Sequence, residues 1–175
     1  MQPVTLTTPR LRLRVFDSRD TDAVYLACQD PGIRFYTPAP TPYRRADAEQ
    51  YVDKKVPAGW ADDTEYALGA FRADGGALVG SFVLIRRLPG VLELGYWTAP
   101  DQRGHGFAVE AAKALCDWGF ATLGAHRIEW WAMVGNTASR AVAERLGFTM
   151  EGMLRRRLVV DGEPRDWWVA GLLKA

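Results

Sequence analysis

Between residues 101 and 110 the chain reads DQRGHGFAVE, with Arg103 and His105 set around Gly104 and Gly106. An apolar run, LELGYWTAP, comes before it, and a stretch with apolar residues at helical spacing follows. The segment therefore reads as a strand, a glycine-bearing turn and a helix N-terminus. Chemically this is an anion site. The first turn of a helix carries backbone N–H groups without intrahelical partners, and the aligned peptide dipoles place roughly half a positive charge there. The two glycines remove side chains where a pyrophosphate would approach the backbone, while Arg103 and His105 can add charge. An ordinary strand-to-helix turn looks the same, so the loop draws its weight from the rest of the chain.

Two further sets of residues could do chemistry. Asn136 and Ser139 lie three apart across the start of a helical stretch. Asn is a preferred N-cap and Ser is tolerated in the first turn, so spacing alone is satisfied by capping. Glu93 stands in the apolar run VLELGYWT, an unusual place for a glutamate unless it faces a cleft or finds a partner. Cys28 and Cys116 are far apart, each in a helix-like stretch, and read as free thiols of a reducing compartment.

The elements that position these groups follow from periodicity. RLRLRVF (10–16) alternates as a half-buried strand. Asp17 or Ser18 caps a helix to about Gln29, with Ala23, Leu26 and Ala27 inward, and Asp30, Pro31 and Gly32 end it. FYTPAPTPY (35–43) is a proline-rich loop whose aromatics Phe35, Tyr36 and Tyr43 could wall a cleft. A surface-lying amphipathic helix is expected from about Arg45 to Val56. Residues 64–72 and 77–86 flank the turn Asp74, Gly75 and Gly76 as an antiparallel hairpin, and a turn at Leu88–Gly90 leads into VLELGYWT. The helix after the glycine turn runs from about Gly106 to Leu123, with Val109, Ala112, Leu115, Cys116 and Phe120 as its stripe. HRIEWWAMV (126–134) is a strand parallel to VLELGYWT, because a helix connects them. A short helix, ASRAVAERL, ends at Gly147, and a long hairpin turning at Asp161 and Gly162 closes the chain.

Composition bounds the rest. A chain of 175 residues fits one domain, 1–175, large enough to bury a core without disulfides. Lys+Arg 22 against Asp+Glu 21 gives a net charge of +1, so neither nucleic acid nor an anionic membrane is an expected partner. MQPVTLTTPR lacks a basic segment followed by an apolar one, and no apolar run reaches spanning length, so a cytoplasmic protein is expected. Most of the seven tryptophans should be core or interface.

The glycine turn after the fourth strand, NTAS opening the helix after the fifth, and RLGF closing that helix together resemble the GNAT superfamily of acyl-CoA-dependent N-acetyltransferases, in its RimJ/RimL-like branch. TPRLRLRVF, LELGYWTAPDQRGHGFAVEA and HRIEWWAMVGNTASRAVAERLGFTMEGMLR carry the resemblance over nearly the whole chain. It implies an α+β GNAT fold: a mixed, mostly antiparallel seven-stranded sheet, about four helices, and a central parallel pair, strands four and five, splayed for CoA. It implies acetyl-CoA as cosubstrate, no metal, and an amine acceptor, either a protein N-terminal α-amine or a small molecule; a homodimer is left open.

The family loop pattern is met by Arg103, Gly106 and Ala108. The backbone of Arg103, Gly104, His105, Gly106, Phe107 and Ala108 would then hold the pyrophosphate. Backbone groups of Trp97 and Thr98 would take the pantetheine as an added strand and polarise the thioester carbonyl. Asn136 would lie against the pantetheine, and Ser139 near the sulfur as general acid. Other branches place a tyrosine one turn further on, where this chain has Ala143, which strengthens the case for Ser139. Glu93 is the first candidate for general base and Glu129 the second. The sixth-strand glutamate of some relatives is Leu158 here, and Asp166 is expected to pair with Arg155, Arg156 and Arg157. Neither cysteine lies in a motif, so direct transfer without an acyl-enzyme is expected. The rival readings are a CoA-binding module without turnover and a mononucleotide-binding domain; the latter lacks a Walker lysine.

Overall fold

Alternation of apolar and polar residues carries about a third of the chain into one sheet. A computed structural model describes all 175 residues, 1–175, with eight strands in the order β1-β2-β3-β4-β5-β6-β8-β7. These are β1 (Leu6–Thr7), β2 (Leu11–Arg14), β3 (Glu65–Arg72), β4 (Leu78–Leu88), β5 (Val91–Thr98), β6 (Arg127–Met133), β7 (Thr149–Val160) and β8 (Glu163–Leu173). All neighbours run antiparallel except β5 and β6. The count corrects the expected seven strands, because β1 is two residues long and too short to show a period. The parallel pair expected as strands four and five is accordingly β5 and β6.

There are five helices rather than about four. α1 (Thr21–Ala27) follows a 3-10 turn at Ser18–Asp20 that Asp17 caps. Its inner face is Val24 and Ala27, while Leu26, expected inside, is 67% exposed. Leu26 sits two residues from Val24, about 200° around the helix, so one face cannot hold both. α2 (Pro31–Tyr36) occupies part of the expected loop: the Asp30 side chain accepts from Ile33 N at 2.9 Å, and Pro31 fills the first turn. Proline there sacrifices no hydrogen bond, so the residues read as a helix stop are the next helix's start. α3 (Arg45–Gln50) runs through a π-helical turn (Tyr51–Lys55) into α4 (Val56–Ala61) as one continuous helix. It buries Val52, Val56 and Trp60, so it is a core helix and not only a surface one. α5 (Phe107–Thr122) buries Phe107, Ala111, Ala112, Leu115, Cys116, Trp118 and Gly119, with Val109 and Phe120 at the margins of its stripe. α6 is Thr137–Arg145. No helix is long and apolar enough to cross a membrane.

The helices divide the sheet into two faces. Leu92, Leu94 and Tyr96 of β5 share the face that α5 and α6 cover; Glu93, Gly95 and Trp97 share the other. On that second face the long helix packs over the first strands, with Tyr51 Oη 2.7 Å from Ser81 Oγ on β4. Over β5, β6 and β8 that face is only partly covered, and Glu93, Trp97, Glu129, Trp131 and Trp167 are half-buried there.

The parallel ladder is short. It runs from Val91–Arg127 to Leu94–Trp130 and stops. Beyond it β5 stays on β4 through Trp97–Ser81 and Thr98–Gly80, and β6 stays on β8 through Met133–Trp167. Each strand is held by its outer neighbour, so the inner edges part.

Gly80 fixes the far end of β5, because a Cβ there would run into the carbonyl oxygen of Trp97 and lie 3.0 Å from Thr98 Cα. Gly80→Ala should destabilise the fold by about 1–3 kcal/mol, read by thermal melting, with a matching loss of affinity for any ligand of the β5 edge. A melting temperature equal to the parent's would show that β5 is not fixed at this point.

Candidate active site

The glycine loop presents a row of free donors. Gly104 and Gly106 have φ of 80° and 77°, a left-handed geometry that costs glycine little and other residues more. Gly106 is the N-cap of α5. The first bond of that helix is Glu110 N to Gly106 O at 3.2 Å, and the amides from Gly104 through Val109 donate to no protein acceptor. These are the orphan donors of a helix N-terminus, extended backwards by the loop. His105 is exposed, its ring stacked on Phe107 at 5.6 Å, and its carbonyl accepts from Arg10 Nη1 at 2.9 Å.

Arg103 does not simply project into solvent. Its guanidinium donates to Asp30 at 2.8 and 3.3 Å and to Thr98 O at 3.2 Å. One carboxylate thus caps α2 and grips the loop, and one arginine ties the loop to the end of β5. The Arg103 guanidinium is the main cause that holds the Asp30 carboxyl below its usual range.

Ser139 lies in the first turn of α6, where the Asn136 side chain caps the helix by accepting from Ser139 N at 3.2 Å. The capping that spacing suggested is therefore present. The hydroxyl is held as well: Trp130 Nε1 donates to Ser139 Oγ at 3.0 Å, and Tyr96 Oη lies 3.0 Å from the same oxygen and 3.3 Å from Ser139 O. Tyr96 is stacked on Phe82 with centroids 5.5 Å apart, and burial pushes its hydroxyl up to about 12, so it stays protonated across the neutral range. Ala143 is buried and offers no hydroxyl to this place.

The site is thus a gap between two strands with unpaired amides at one end and a fixed serine hydroxyl beside it. Residues 10–149 match the acetyltransferase (GNAT) domain family. The chain belongs to the GNAT acetyltransferase family. The "Uncharacterized N-acetyltransferase p20" of Bacillus licheniformis is 31% identical over 173 residues, 97% of this chain and 96% of its own. The "Probable N-acetyltransferase YjcK" of Bacillus subtilis (strain 168) is 33% identical over 114 residues, so the match spans 63% of each chain. The solved structure of Mycobacterium smegmatis RimJ in complex with CoA-disulfide has the same fold, with a TM-score of 0.86 at 24% identity over 99% of this chain and 90% of that one.

In this GNAT chain the carboxylates named as bases are both engaged. Glu93 Oε2 accepts from Arg87 Nε at 2.7 Å, with the Glu93 side chain 20% exposed. Glu129, its neighbour across the parallel ladder, accepts from Arg127 Nε at 2.9 Å and from Trp131 Nε1 at 3.0 Å. Glu93 lies one residue before the last ladder pair, on the half-open face. Asp166 does join the arginine cluster, but through the backbone: its Oδ1 accepts from Arg156 N at 2.7 Å. Trp97 packs against the core with its side chain, and its carbonyl points at Gly80 of β4 rather than into the gap, which corrects its expected place there. Of the loop aromatics, Tyr43 is buried core, so only Phe35 and Tyr36, paired edge to face at 4.9 Å, remain to wall a cleft.

Sequence reasoning missed Tyr96, Trp130 and Asp30. The alternation of LELGYWT already put Tyr96 on the helix-covered face with Leu92 and Leu94, but nothing local indicates that Ser139 lies above it.

The Asp30–Arg103 tie has a pH signature. The folded carboxyl titrates below its unfolded value near 3.9, so its stabilisation is complete above that pH and is lost as pH falls through the folded value. Asp30→Asn keeps a capping side chain and removes the charge. The stability difference from wild type, at most about 1 kcal/mol, should be constant above pH 5 and shrink below pH 4. A difference that does not change with pH in denaturant titrations would refute the pairing.

Proposed function

We propose that this chain transfers an acetyl group from acetyl-CoA directly to an amine, either a protein N-terminal α-amine or a small-molecule amine. The observation that carries the reading is the Ser139 hydroxyl, pinned by Trp130 and Tyr96 beside the parted edges of β5 and β6. The free amides of the 104–108 loop, held in place by the Arg103 tie to Asp30 and Thr98, fit a pyrophosphate, and the unpaired edges past Leu94 and Trp130 fit a pantetheine arm added as a strand. When bound, acetyl-CoA supplies an activated acyl group whose departing partner is a thiolate.

The chain's own residues then have separable tasks. Backbone N–H groups at the end of β5, near Thr98, polarise the acyl carbonyl from a fixed position. Asn136 holds the start of α6 and borders the pantetheine arm. The indole of Trp130 can only donate, so it occupies one lone pair of Ser139 Oγ. Tyr96 has two arrangements. It can donate to Ser139 O and accept the serine proton, or it can donate to Oγ and leave the serine proton free. In the second arrangement Ser139 donates to the thiolate as general acid, with Tyr96 behind it. Glu93, paired with Arg87, takes the ammonium proton through water before attack. Both cysteines are buried in the core, where burial raises their thiols, which supports direct transfer over a thioester on the enzyme.

The reading is tested by release of free thiol from acetyl-CoA with a panel of peptide and small amines. Turnover with at least one amine is expected; CoA binding with no thiol release across the panel would contradict it. Within an active assay, Ser139→Ala should lower kcat by about 10²-fold, and Tyr96→Phe by about three- to tenfold. Both should leave acetyl-CoA affinity within about twofold, since neither removes the loop amides. A large loss of affinity with unchanged kcat would move both residues from chemistry to binding.

A further inference from the structure

The closing hairpin carries an irregularity that the site described above does not use. On β7 the register jumps from Leu154–Trp167 to Leu158–Arg165, so Arg155, Arg156 and Arg157 bulge opposite Asp166 alone. Arg156 sits at a φ of 52°, a left-handed geometry that costs a residue with a side chain about 1 kcal/mol or more. The bond from its N–H to Asp166 Oδ1 at 2.7 Å holds it there. Backbone strain of this kind persists only where surrounding structure fixes it, and it clusters at ligand-binding segments. The bulge lines an open concavity of about 790 Å³ with Asp166 and the preceding Met153 and Leu154.

The guanidinium groups here lack ion-pair partners. Ten of the chain's arginines are in ion pairs, yet Arg155, Arg156, Arg157 and Arg165 are in none. Arg165 Nε is in addition buried without an acceptor. The nearest carboxylate, Asp166, is committed to the backbone of Arg156. A chain of net charge +1 therefore concentrates free guanidinium groups on one hairpin.

Position connects the cluster to the gap. Trp131 lies on the half-open face of β6, just past the last parallel pair, and the Arg157 guanidinium stands over its ring at 5.6 Å. β8 lies between β7 and β6 in the sheet, so Arg157 reaches across one strand toward the place where β5 and β6 part. The opposite face there is closed by α5 and α6, which leaves this face for an incoming amine.

Resting on the acetyltransferase reading, we propose that the β7 bulge with Arg165 recognises the acceptor, and that the acceptor is a peptide with acidic side chains a few residues after its N-terminal amine. Arginine forks match carboxylates bidentately. From β7 to the gap is two to three strand spacings, about 10–14 Å, which an extended chain covers in about three to four residues. The acidic side chains thus belong near the third to fifth positions. A free amino acid is too short to span this distance, and a polyamine meets repulsion. A nucleic acid is disfavoured by the small size of the cluster.

The test uses three peptides of equal length with a free N-terminus and no lysine, carrying Asp/Glu, Asn/Gln or Arg at positions three to five, together with spermidine and a short single-stranded RNA. Thiol release gives kcat/KM. Fluorescence anisotropy of labelled peptides and RNA on the CoA-loaded protein gives affinity whether or not turnover occurs. The acidic peptide should exceed the basic one by about tenfold in both readouts, with the gap narrowing as salt rises. Arg157→Glu combined with Arg155→Glu should reverse the order, which a merely unfolded variant cannot do. Equal values for the three peptides, a preference that survives charge reversal, or tighter binding of RNA would overturn the proposal. Turnover of spermidine alone, with no binding of the acidic peptide, would overturn it and leave the acetyltransferase reading standing. Binding of the acidic peptide with no thiol release from any amine would sustain the recognition site and sink that reading.

Discussion

Two parallel strands that stop pairing before they end are the constraint on which the site depends. β5 and β6 share a ladder only as far as Leu94 and Trp130, after which each follows its outer neighbour. A strand edge left unpaired inside a sheet carries backbone donors and acceptors that need partners. Here the open edges lead from the glycine loop toward the N-terminus of α6. Gly80 lets β4 stay close against the end of β5, and Arg103 ties the loop to Thr98, so the gap has a fixed shape.

The serine beside that gap is positioned by packing more than by its own sequence. Trp130 and Tyr96 come from the two strands that part, on the face α6 covers, and both end on Ser139. Trp130 is 1% exposed, so its indole N–H has little freedom. A hydroxyl with one lone pair occupied by a fixed donor and a buried tyrosine at the other side has few choices for its proton. The fold therefore fixes the position of the hydroxyl by itself.

What the sequence disclosed follows the range of the interactions. The glycine loop, the Asn136 cap, the hairpin turns and the parallel crossover are local, and periodicity or turn chemistry locates them. β1 is too short for a period. α2 hides among prolines because Asp30 and Pro31 end one helix and start the next, and only the second role has side-chain bonds to show for it. Leu26 faces solvent because an inner stripe cannot hold it with Val24. The grouping of Tyr96, Trp130 and Ser139, and that of Asp30 with Arg103, join residues distant in the chain, which spacing does not encode. Glu93 was legible as an anomaly in an apolar strand, and its arginine partner explains how it is tolerated. The RimJ/RimL-like motifs located the loop and the serine, whereas the strained arginine bulge at 155–157 follows from register alone.

We propose that the parted strands hold a CoA thioester with its sulfur at Ser139. An experimental structure of the protein with CoA tests it most directly. The pyrophosphate is expected on the amides of the 104–108 loop, the pantetheine along the free edge of β5, and the sulfur within about 3.5 Å of Ser139 Oγ. A CoA molecule bound with its pyrophosphate in the loop but its sulfur away from Ser139, or bound outside the gap altogether, would contradict it.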